Sequence, residues 1–441
     1  MAGIARRGEL AWFGTAGTID GTTPSLETQY RIGSISKTFV AVEVMRLRDE
    51  GLLRLSDPIG RHIAELERFS FTIGHLLSHT SGLRAETSGP WWERTKGVPF
   101  AELAESSLGD DALLCRPGRR FHYSNLGYGV LGEVIARLRR RPSADVVADE
   151  LLDPAGMPRT TTRPAHPASS GFGVHPHADV AIAEPEHDAG AMAPAGQWWS
   201  TVKDLASWSA VLAGLRPEIL SADSASEMRE PIALEDVPGE PWTAAYGLGI
   251  DVMNLEGRRI YGHGGSMPGF LALLRIDAET ADTVIVMTNA TSGLERELET
   301  DLRRIFLEHE PLGLPPFTLA RGSVAEDVIE LTGTWYWGTN AYLLSVTRDG
   351  GLELSVLAPG RGREAAFRPL GDGTYVGLSG YYHGEVLRPV RLGDGRLSHL
   401  DIGSFVFTRT PYDPLADVPG GVDEGGWSGD PVRAAEQIEE V

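Results

Sequence analysis

The most constraining feature of this chain is a long helical stretch enclosed on both sides by segments with strand character. Two short strand-like runs occupy about residues 2–5 and 10–17. After Pro241 the pattern returns to strands, at 246–254, 258–262, 270–277 and 283–289. Helices inserted between an early strand pair and a late strand set favour an α+β fold, here an αβα sandwich with an antiparallel sheet.

Apolar residues recur at helical spacing through the middle of the chain, and capping or breaking residues bound each periodic run. Helices are predicted at 38–50, from the N-cap Thr72 to a break at 79–82, and at 126–140, 143–152, 201–214 and 293–309. Residues 161–197 are rich in Pro, Gly, Ala and His and lack periodicity. They predict a long ordered loop or a lid.

Beyond Pro315 the pattern changes to short alternating strands separated by Asp-Gly turns. This pattern predicts a small antiparallel β-barrel. The tail from Asp413 holds eight acidic residues and one arginine, with Pro and Gly scattered through it, and we expect it to be largely disordered. The expected organisation is therefore a large α+β domain of the size of an enzyme at 1–312, a barrel at 313–412 and a tail at 413–441.

Charge and cysteine content exclude several classes of function. The formal net charge of −21 disfavours binding to nucleic acid and to anionic membranes. The single cysteine, Cys115, rules out an intramolecular disulfide and a Cys-based zinc cluster. No apolar run is long enough to span a membrane, and the first residues lack the apolar core of a secretory signal, so we expect a cytoplasmic protein.

A serine and a lysine stand three positions apart in Gly33-Ser34-Ile35-Ser36-Lys37, where the first helix opens. This spacing places Ser34 and Lys37 one turn apart on one helix face. A serine hydroxyl needs a base, and lysine can be that base if burial or a nearby cation lowers its pKa. The chain has only three lysines against 37 arginines, and an arginine could not accept the proton.

The same spacing occurs again in Ser200-Thr201-Val202-Lys203, so spacing alone does not identify the nucleophile. Ser200 stands where a helix N-cap is expected, with Thr201 and Asp204 spaced as a possible capping box. A structural role is therefore sufficient for Ser200, and we favour Ser34.

Two further motifs give Ser34 its context. Tyr123-Ser124-Asn125 follows about 90 residues later, and His263-Gly264-Gly265 lies among the late strands. The order of the three motifs resembles the serine β-lactamase and penicillin-binding-protein superfamily, specifically its class C-like branch. The segments TIGHLLSHTSGL, LLDPAGM and APAGQWWSTVKDLASW also look like that branch.

The resemblance implies a role for each motif residue. Ser34 would be the acylated nucleophile and Lys37 its base, while Tyr123 would share the proton transfers and protonate the leaving group. Asn125 would donate to the substrate carbonyl or hold Lys37 in place. In the absence of that chemistry, Tyr123 would be a core tyrosine and Asn125 a loop residue that closes a turn.

The third motif would border the cleft. His263 begins it as a catalytic residue, and Gly264 and Gly265 would let a substrate backbone approach. The oxyanion hole would consist of the backbone N–H groups of Ser34 and Ser266. Class C β-lactamases carry Lys-Thr-Gly at this place, so the resemblance implies poor β-lactam hydrolysis here.

The C-terminal barrel resembles the lipocalin-like domains appended to some members of the superfamily. Its aromatic residues Trp335, Tyr336 and Trp337 are interpreted as barrel core rather than as a ligand cage.

Two other patterns are interpreted as structural. Residues 127–132 match G-x-G-x-x-G, but no strand precedes them, so they indicate glycines on a packed helix rather than a dinucleotide site. A histidine- and aspartate-containing set lacks metal-ligand spacing and lies in a Pro-rich loop: His175, His177, Asp179, His187 and Asp188. We therefore predict neither a cofactor nor a metal.

The sequence as a whole predicts a serine hydrolase that forms an acyl-enzyme on Ser34 with an ester, thioester or peptide-like small-molecule or peptide substrate. Alternatives are a D-amino-acid-specific peptidase, a peptide-cyclising thioesterase, and a catalytically silent protein that binds a peptide or lipid. The oligomeric state is left open.

Overall fold

The structure is a computed structural model. It describes residues 1–309 apart from 20, 179, 256 and 293–296, and residues 324–417 apart from 348–349, 358–362 and 412–415. The chain divides into two compact units, Met1–Leu312 and Gly313–Val441. The predicted acidic tail lies outside the described residues except for 416–417.

The described residues of the first unit contain twelve strands, and the structure confirms the predicted mixture of a sheet with helices. The strands are β1 Ala2–Arg6, β2 Glu9–Gly14, β3 Tyr30–Arg31, β4 Phe172–Val174, β5 Ala181–Ala183, β6 Trp199–Ser200, β7 Ala233–Leu234, β8 Ala244–Tyr246, β9 Asp251–Leu255, β10 Arg258–Met267, β11 Phe270–Asp277 and β12 Asp282–Thr288. Eight of them form an antiparallel sheet in the order β2-β1-β12-β11-β10-β9-β8-β7.

The early strand pair returns to the late strands, as the predicted sandwich requires. Strand β1 pairs with β12, with Gly3 opposite Ile285. Strand β12 is buried along nearly its whole length because α8 and α10 both pack against it. A strand covered in this way favours consecutive apolar residues, which accounts for the apolar run VIVM at its centre.

The helices of the first unit lie mostly between β2 and β7. They are α1 Ser36–Asp49, α2 Ile73–Leu77, α3 Phe100–Ser107, α4 Asn125–Arg139, α5 Ser143–Val147, α6 Asp153–Ala155, α7 Ala193–Gly196, α8 Val202–Leu212, α9 Ala222–Met228 and α10 Leu298–His309. Helix α1 is buried along most of its length and packs against α4 and α7. A helix enclosed on all sides has no polar face, and the polar residues that it does bury, such as Lys37, need specific partners.

Several predicted boundaries are corrected. The first helix begins at Ser36 after a 3-10 turn at Gly33–Ile35, and not at Thr38. Residues 161–197 are not one long loop, because β4 pairs with β5 and α7 follows. The last helix begins at Leu298, and the residues 293–296 of the prediction lie outside the described residues.

The described part of the second unit contains a closed barrel of eight strands, which confirms the predicted antiparallel barrel, and a short helix that precedes it and was not predicted. Its elements are α11 Glu326–Leu331, β13 Gly333–Trp337, β14 Asn340–Val346, β15 Leu352–Val356, β16 Ala365–Pro369, β17 Tyr375–Gly377, β18 Val386–Arg391, β19 Leu397–Ile402 and β20 Phe405–Thr408. Trp335 is fully buried in the barrel core, whereas Tyr336 and Trp337 are only half-buried. Inward-facing side chains pack against one another and fill the barrel.

Candidate active site

Ser34 lies on the 3-10 turn that leads into α1 and is partly exposed. The side-chain nitrogen of Lys37, Nζ, lies 2.9 Å from Ser34 Oγ. It also donates to the carbonyl oxygen of Ala195 at 2.7 Å. Helix α7, which carries Ala195, packs against α1 and thereby fixes the lysine at the nucleophile. The pair is thus in direct hydrogen-bond contact.

Lys37 is fully buried, which changes its acid–base behaviour. Burial lowers the pKa of Lys37 to about 7, although the carboxylates of Glu86, Glu93 and Asp251 act in the opposite direction. A lysine with this pKa is partly neutral near pH 7. It can therefore accept the proton of Ser34, which an ordinary surface lysine cannot do.

Tyr123 lies next to the Ser34–Lys37 pair. Lys37 Nζ is 5.0 Å from the centre of the Tyr123 ring. Burial raises the pKa of Tyr123 well above its usual range, and a hydrogen bond with the Ser34 side chain opposes that effect. The phenol therefore stays protonated at neutral pH, so it is suited to donate a proton, and its protonation state favours Lys37 over Tyr123 as the base.

Asn125 lies at the first position of α4, after the N-cap Ser124. Its amide Nδ2 donates to Glu86 at 2.6 Å, while the hydrogen bonds of Lys37 go to Ser34 and Ala195. In the described residues Asn125 therefore does not hold Lys37, which corrects one of its two predicted roles. Its oxygen Oδ1 is buried and without a partner there, so it remains free to accept a hydrogen bond.

His263 is buried on β10 and belongs to a separate hydrogen-bond chain. Nδ1 lies 2.5 Å from the Gly264 carbonyl, which can only accept, so Nδ1 carries the proton and Nε2 accepts from the Tyr246 hydroxyl at 2.9 Å. Burial lowers the pKa of His263, which keeps the ring neutral. Among the described residues, His263 lies next to the catalytic group Tyr123, and the centres of their two rings are 6.2 Å apart.

The backbone of the third motif lies directly against the Ser34 turn. A Cβ on Gly33, whose φ is +52°, would lie 2.5 Å from the backbone nitrogen of Ser266. A Cβ on Gly265 would lie 1.9 Å from the carbonyl oxygen of Ile32 and 3.3 Å from the backbone nitrogen of Ser34. Only glycines allow this approach, which brings the backbone of β10 at Ser266 against the turn that carries Ser34. By contrast, a Cβ on Gly264 would meet only the end of the Arg275 side chain, at 3.9 Å.

Sequence reasoning missed His79, which organises the tyrosine side of the site. Its Nδ1 accepts the backbone N–H of Ser124 at 3.0 Å, and its ring centre is 4.1 Å from that of Tyr123 and 4.6 Å from that of Tyr246. The residue is fully buried and has a φ of +54°. The sequence marked this position only as a helix break, and its positive φ fits that signal.

Sequence reasoning also missed three acidic residues near Lys37. Glu86, Glu93 and Asp251 each act electrostatically on Lys37. Glu86 is held by two donors, the Asn125 amide and Trp92 Nε1 at 2.7 Å. Asp251 forms an ion pair with Arg275 at 3.3 Å. These acids come from two segments far apart in the chain, the one between α2 and α3 and the start of β9, so no local motif could reveal them.

The second Ser-x-x-Lys has a different environment. Ser200 is fully buried on β6, and its hydroxyl lies 2.8 Å from the Thr160 hydroxyl. Thr201, rather than Ser200, is the N-cap of α8 and accepts the backbone N–H of Asp204 at 3.1 Å. Lys203 is exposed to solvent. Ser200 therefore lacks the buried amine that Ser34 has.

The remaining patterns have packing explanations. Gly129 and Gly132 lie on α4, where a Cβ would meet Ala191 and Pro194. Among the described residues, no three His, Cys, Asp or Glu side chains are grouped so that they could hold a metal ion. Of the candidate set, Asp179 lies outside those residues. In the same part of the chain no helix is long and apolar enough to cross a membrane.

Comparison with known protein families decides the identity of the first unit. The Beta-lactamase family profile matches residues 1–308. The chain belongs to the Beta-lactamase family. The second unit matches, over residues 324–409, a domain of unknown function, DUF7586.

Curated relatives of this Beta-lactamase family member share limited identity. The human protein "Putative beta-lactamase-like 1" is 27% identical over 347 residues, which are 70% of this chain and 66% of the relative. "Protein flp" of Staphylococcus aureus strain MW2 is 23% identical over 293 residues, 64% of this chain and 57% of the relative. The chain therefore spans less than two thirds of the length of these relatives.

Solved structures confirm the predicted superfamily and fold. The octameric penicillin-binding protein homologue from Pyrococcus abyssi has a TM-score of 0.62 and 21% identity, covering 92% of this chain and 94% of its own. The D-amino acid amidase from Ochrobactrum anthropi SV3, complexed with L-phenylalanine, has a TM-score of 0.55 and 26% identity, covering 66% of this chain and 86% of its own.

Proposed function

We propose that this Beta-lactamase family member is a serine hydrolase that forms an acyl-enzyme on Ser34 with ester, thioester or peptide-like substrates. One observation carries the proposal: the buried amine of Lys37 lies 2.9 Å from Ser34 Oγ. Burial lowers the pKa of that amine to about 7, so the serine has a base that is available at neutral pH.

The proposed reaction begins when Ser34 Oγ bonds to the substrate carbonyl carbon while its proton passes to Lys37 Nζ. The carbonyl oxygen becomes an oxyanion, which the N–H groups of Ser34 and Ser266 stabilise. Collapse of this intermediate breaks the bond to the leaving group, which takes a proton from the Lys37–Tyr123 pair. Water then attacks the acyl ester and releases the acid, and Ser34 regains its proton.

The test is the intact mass of the protein after exposure to a fluorophosphonate probe, which phosphonylates activated serines with release of fluoride. Wild type should gain one adduct, Ser34→Ala should gain none, and Ser200→Ala should behave like wild type. Ser200 is the matched control because it precedes a lysine at the same spacing. If folded wild type gains no adduct, the result would instead support a catalytically silent binding protein. If the adduct is lost in Ser200→Ala and kept in Ser34→Ala, the nucleophile would be Ser200 and the assignment of Ser34 would be wrong.

The third motif bears on the substrate. Where class C β-lactamases carry Lys-Thr-Gly, this chain has a neutral, buried histidine at His263, so the site lacks their cationic group at that position. We therefore propose poor turnover of β-lactams compared with simple esters. Initial rates with nitrocefin and with p-nitrophenyl acetate under matched conditions test this point.

A second candidate function is hydrolysis of D-amino acid amides or peptides. The acidic group formed by Glu86, Glu93 and Asp251 lies near Lys37 and favours a substrate with a free ammonium group. The likeness to a D-amino acid amidase at 26% identity supports it. Hydrolysis rates for the p-nitroanilides of D-alanine, L-alanine and N-acetyl-D-alanine test it: the first should be cleaved fastest, and equal rates for the first and third would contradict it.

A further inference from the structure

A cavity of about 340 Å³ lies outside the residues assigned to the Ser34 site. Its walls are formed by residues of β3, of the segment before α7 and of the segment after it: Arg31, Arg163, Pro164, Glu186, His187, Asp188, Gln197 and Trp199. None of Ser34, Lys37, Tyr123 and His263 lines it.

Arg31 is the unusual residue in this cavity. The side chain is buried, with only 2% of the residue exposed, yet no carboxylate of the described residues lies within ion-pair distance of it. Its guanidinium makes one long hydrogen bond, from Nη2 to Gln197 Oε1 at 3.5 Å, and its buried Nε has no partner among the described residues. Glu93 and Glu186 act on this guanidinium electrostatically, but neither forms a direct ion pair with it in the described residues. A buried cation without a direct counter-ion is costly, so this group calls for an acceptor of negative charge.

His187 presents the opposite need to the same cavity. Its Nε2 lies 2.9 Å from the carbonyl oxygen of Trp92, which can only accept, so Nε2 carries the proton. In the neutral ring Nδ1 is therefore an acceptor, and in the described residues this buried atom has no donor. The walls of this cavity thus include a donor residue, Arg31, and an acceptor residue, His187, each with an unpartnered atom.

The exposed rim of the cavity also carries both positive and negative side chains. Arg163 is exposed and lies 3.5 Å from Asp188, and Glu186 is exposed beside them. A carboxylate alone would leave the acidic rim and His187 without a donor, and an amine alone would leave Arg31 without an acceptor. A ligand with both groups on a short backbone satisfies both needs.

We propose that this cavity binds a free α-amino acid. The carboxylate is held by Arg31 and Arg163, and the ammonium group faces His187, Glu186 and Asp188. The site is separate from the Ser34 chemistry and does not rest on the proposed hydrolase function. Gln197, which fixes the cavity wall through bonds to the carbonyls of Thr162 and His187, follows the helix whose Ala195 carbonyl holds Lys37.

Isothermal titration of the full-length Ser34→Ala variant with glycine tests the proposal without interference from turnover. Acetate and methylammonium serve as half-ligands, each with one of the two charged groups. Glycine should bind at least about tenfold more tightly than either, because only glycine satisfies both sides of the cavity. Absence of glycine binding, as expected for a cavity that holds only water, overturns the proposal, and so does acetate binding as tight as that of glycine.

Variants locate the binding in the cavity. Arg31→Gln should weaken glycine binding by about tenfold or more. Because Arg31 is buried and its replacement can impair folding, Arg163→Gln and Glu186→Gln on the exposed rim give a second test, with about threefold weakening expected for each. Arg396→Gln is the matched control, since its side chain is 74% exposed against 78% for Arg163. Rim variants that bind glycine like Arg396→Gln would overturn the proposal.

Discussion

Gly265 faces Ile32 so closely that a Cβ on the glycine would lie 1.9 Å from the Ile32 carbonyl oxygen. A methyl group therefore cannot enter without moving β10 away from the Ser34 turn. Because the proposed oxyanion hole uses the N–H groups of Ser34 and Ser266 at this contact, Gly265→Ala should disrupt it. We expect kcat/KM for p-nitrophenyl acetate to fall by about 100-fold or more.

Gly393→Ala is the control for this substitution, because that glycine has no heavy atom within 4 Å of the added Cβ and no positive φ. It should leave the rate unchanged within about twofold. Circular dichroism and thermal unfolding show whether Gly265→Ala is folded. A folded Gly265→Ala protein with wild-type activity would mean that these two N–H groups do not form the oxyanion hole.

The pH dependence of the reaction should follow Lys37. Its pKa is lowered to about 7 by burial, so the neutral amine that can accept the Ser34 proton forms as the pH rises through that value. The value of kcat/KM should therefore increase about tenfold per pH unit below about pH 6 and level off above about pH 8. A profile from pH 5 to 9 measures it, and a rate that falls with pH across this range would exclude Lys37 as the base. Lys37→Arg should be inactive throughout, because the guanidinium stays protonated.

Burial of Lys37 should also lower the free energy of unfolding of the protein. Its folded pKa, about 7, lies below the ordinary lysine value, so between the two the unfolded chain binds a proton that the folded chain does not. Stability of the wild type should rise with pH through this window, and the penalty should be full below about pH 7. Lys37→Met, which removes the charge, should stabilise by about 1–3 kcal/mol at pH 6 and by less at pH 9, after allowance for the lost hydrogen bonds.

Urea unfolding of both proteins at the two pH values measures this difference. Lys203→Met is the matched control, since Lys203 occupies the same position in the second Ser-x-x-Lys but is exposed. Its effect should be within about 0.5 kcal/mol and independent of pH. A destabilised Lys37→Met at pH 6 would show that the hydrogen bonds to Ser34 and Ala195 outweigh the cost of burial.

The sequence could predict those features of the fold and site that depend on neighbours in the chain. Ser34 and Lys37 are one helical turn apart, and the periodic apolar runs predicted α1, α4 and the strands of the sheet. The Ala195 carbonyl, which fixes Lys37, is 158 residues away, and no spacing signals it. The same limit applies to Glu86 and Asp251. Residues 161–197 seemed irregular because β4 and β5 have three residues each, too few to show a period of two.

His79 should be a structural support of the tyrosine side of the site. Replacing it by Phe keeps the ring packing against Tyr123 and Tyr246 but removes the acceptor of the buried Ser124 N–H. We expect His79→Phe to lose about 1–3 kcal/mol of stability, since a buried donor is left without a partner. Thermal or urea unfolding measures this loss. His175→Phe, at an exposed loop histidine, should change stability by less than about 0.5 kcal/mol, and equal effects of the two would contradict the proposed support.

Glu86 should discriminate between charged and neutral substrates. Its carboxylate is fixed by Asn125 and Trp92 and lies in the electrostatic field of Lys37. Glu86→Gln keeps the shape and one acceptor oxygen but removes the charge, so kcat/KM for D-alanine p-nitroanilide should fall about tenfold. Both substrates are measured at about pH 7.5, where the α-ammonium group of D-alanine p-nitroanilide is still mostly protonated. For N-acetyl-D-alanine p-nitroanilide, which has no ammonium group, the value should change by less than about threefold, because Lys37 is already mostly neutral at this pH with or without Glu86. Equal losses for both substrates would mean that Glu86 acts by positioning Asn125 rather than by recognising an ammonium group, and the amino-acid amide would lose its support as a substrate class.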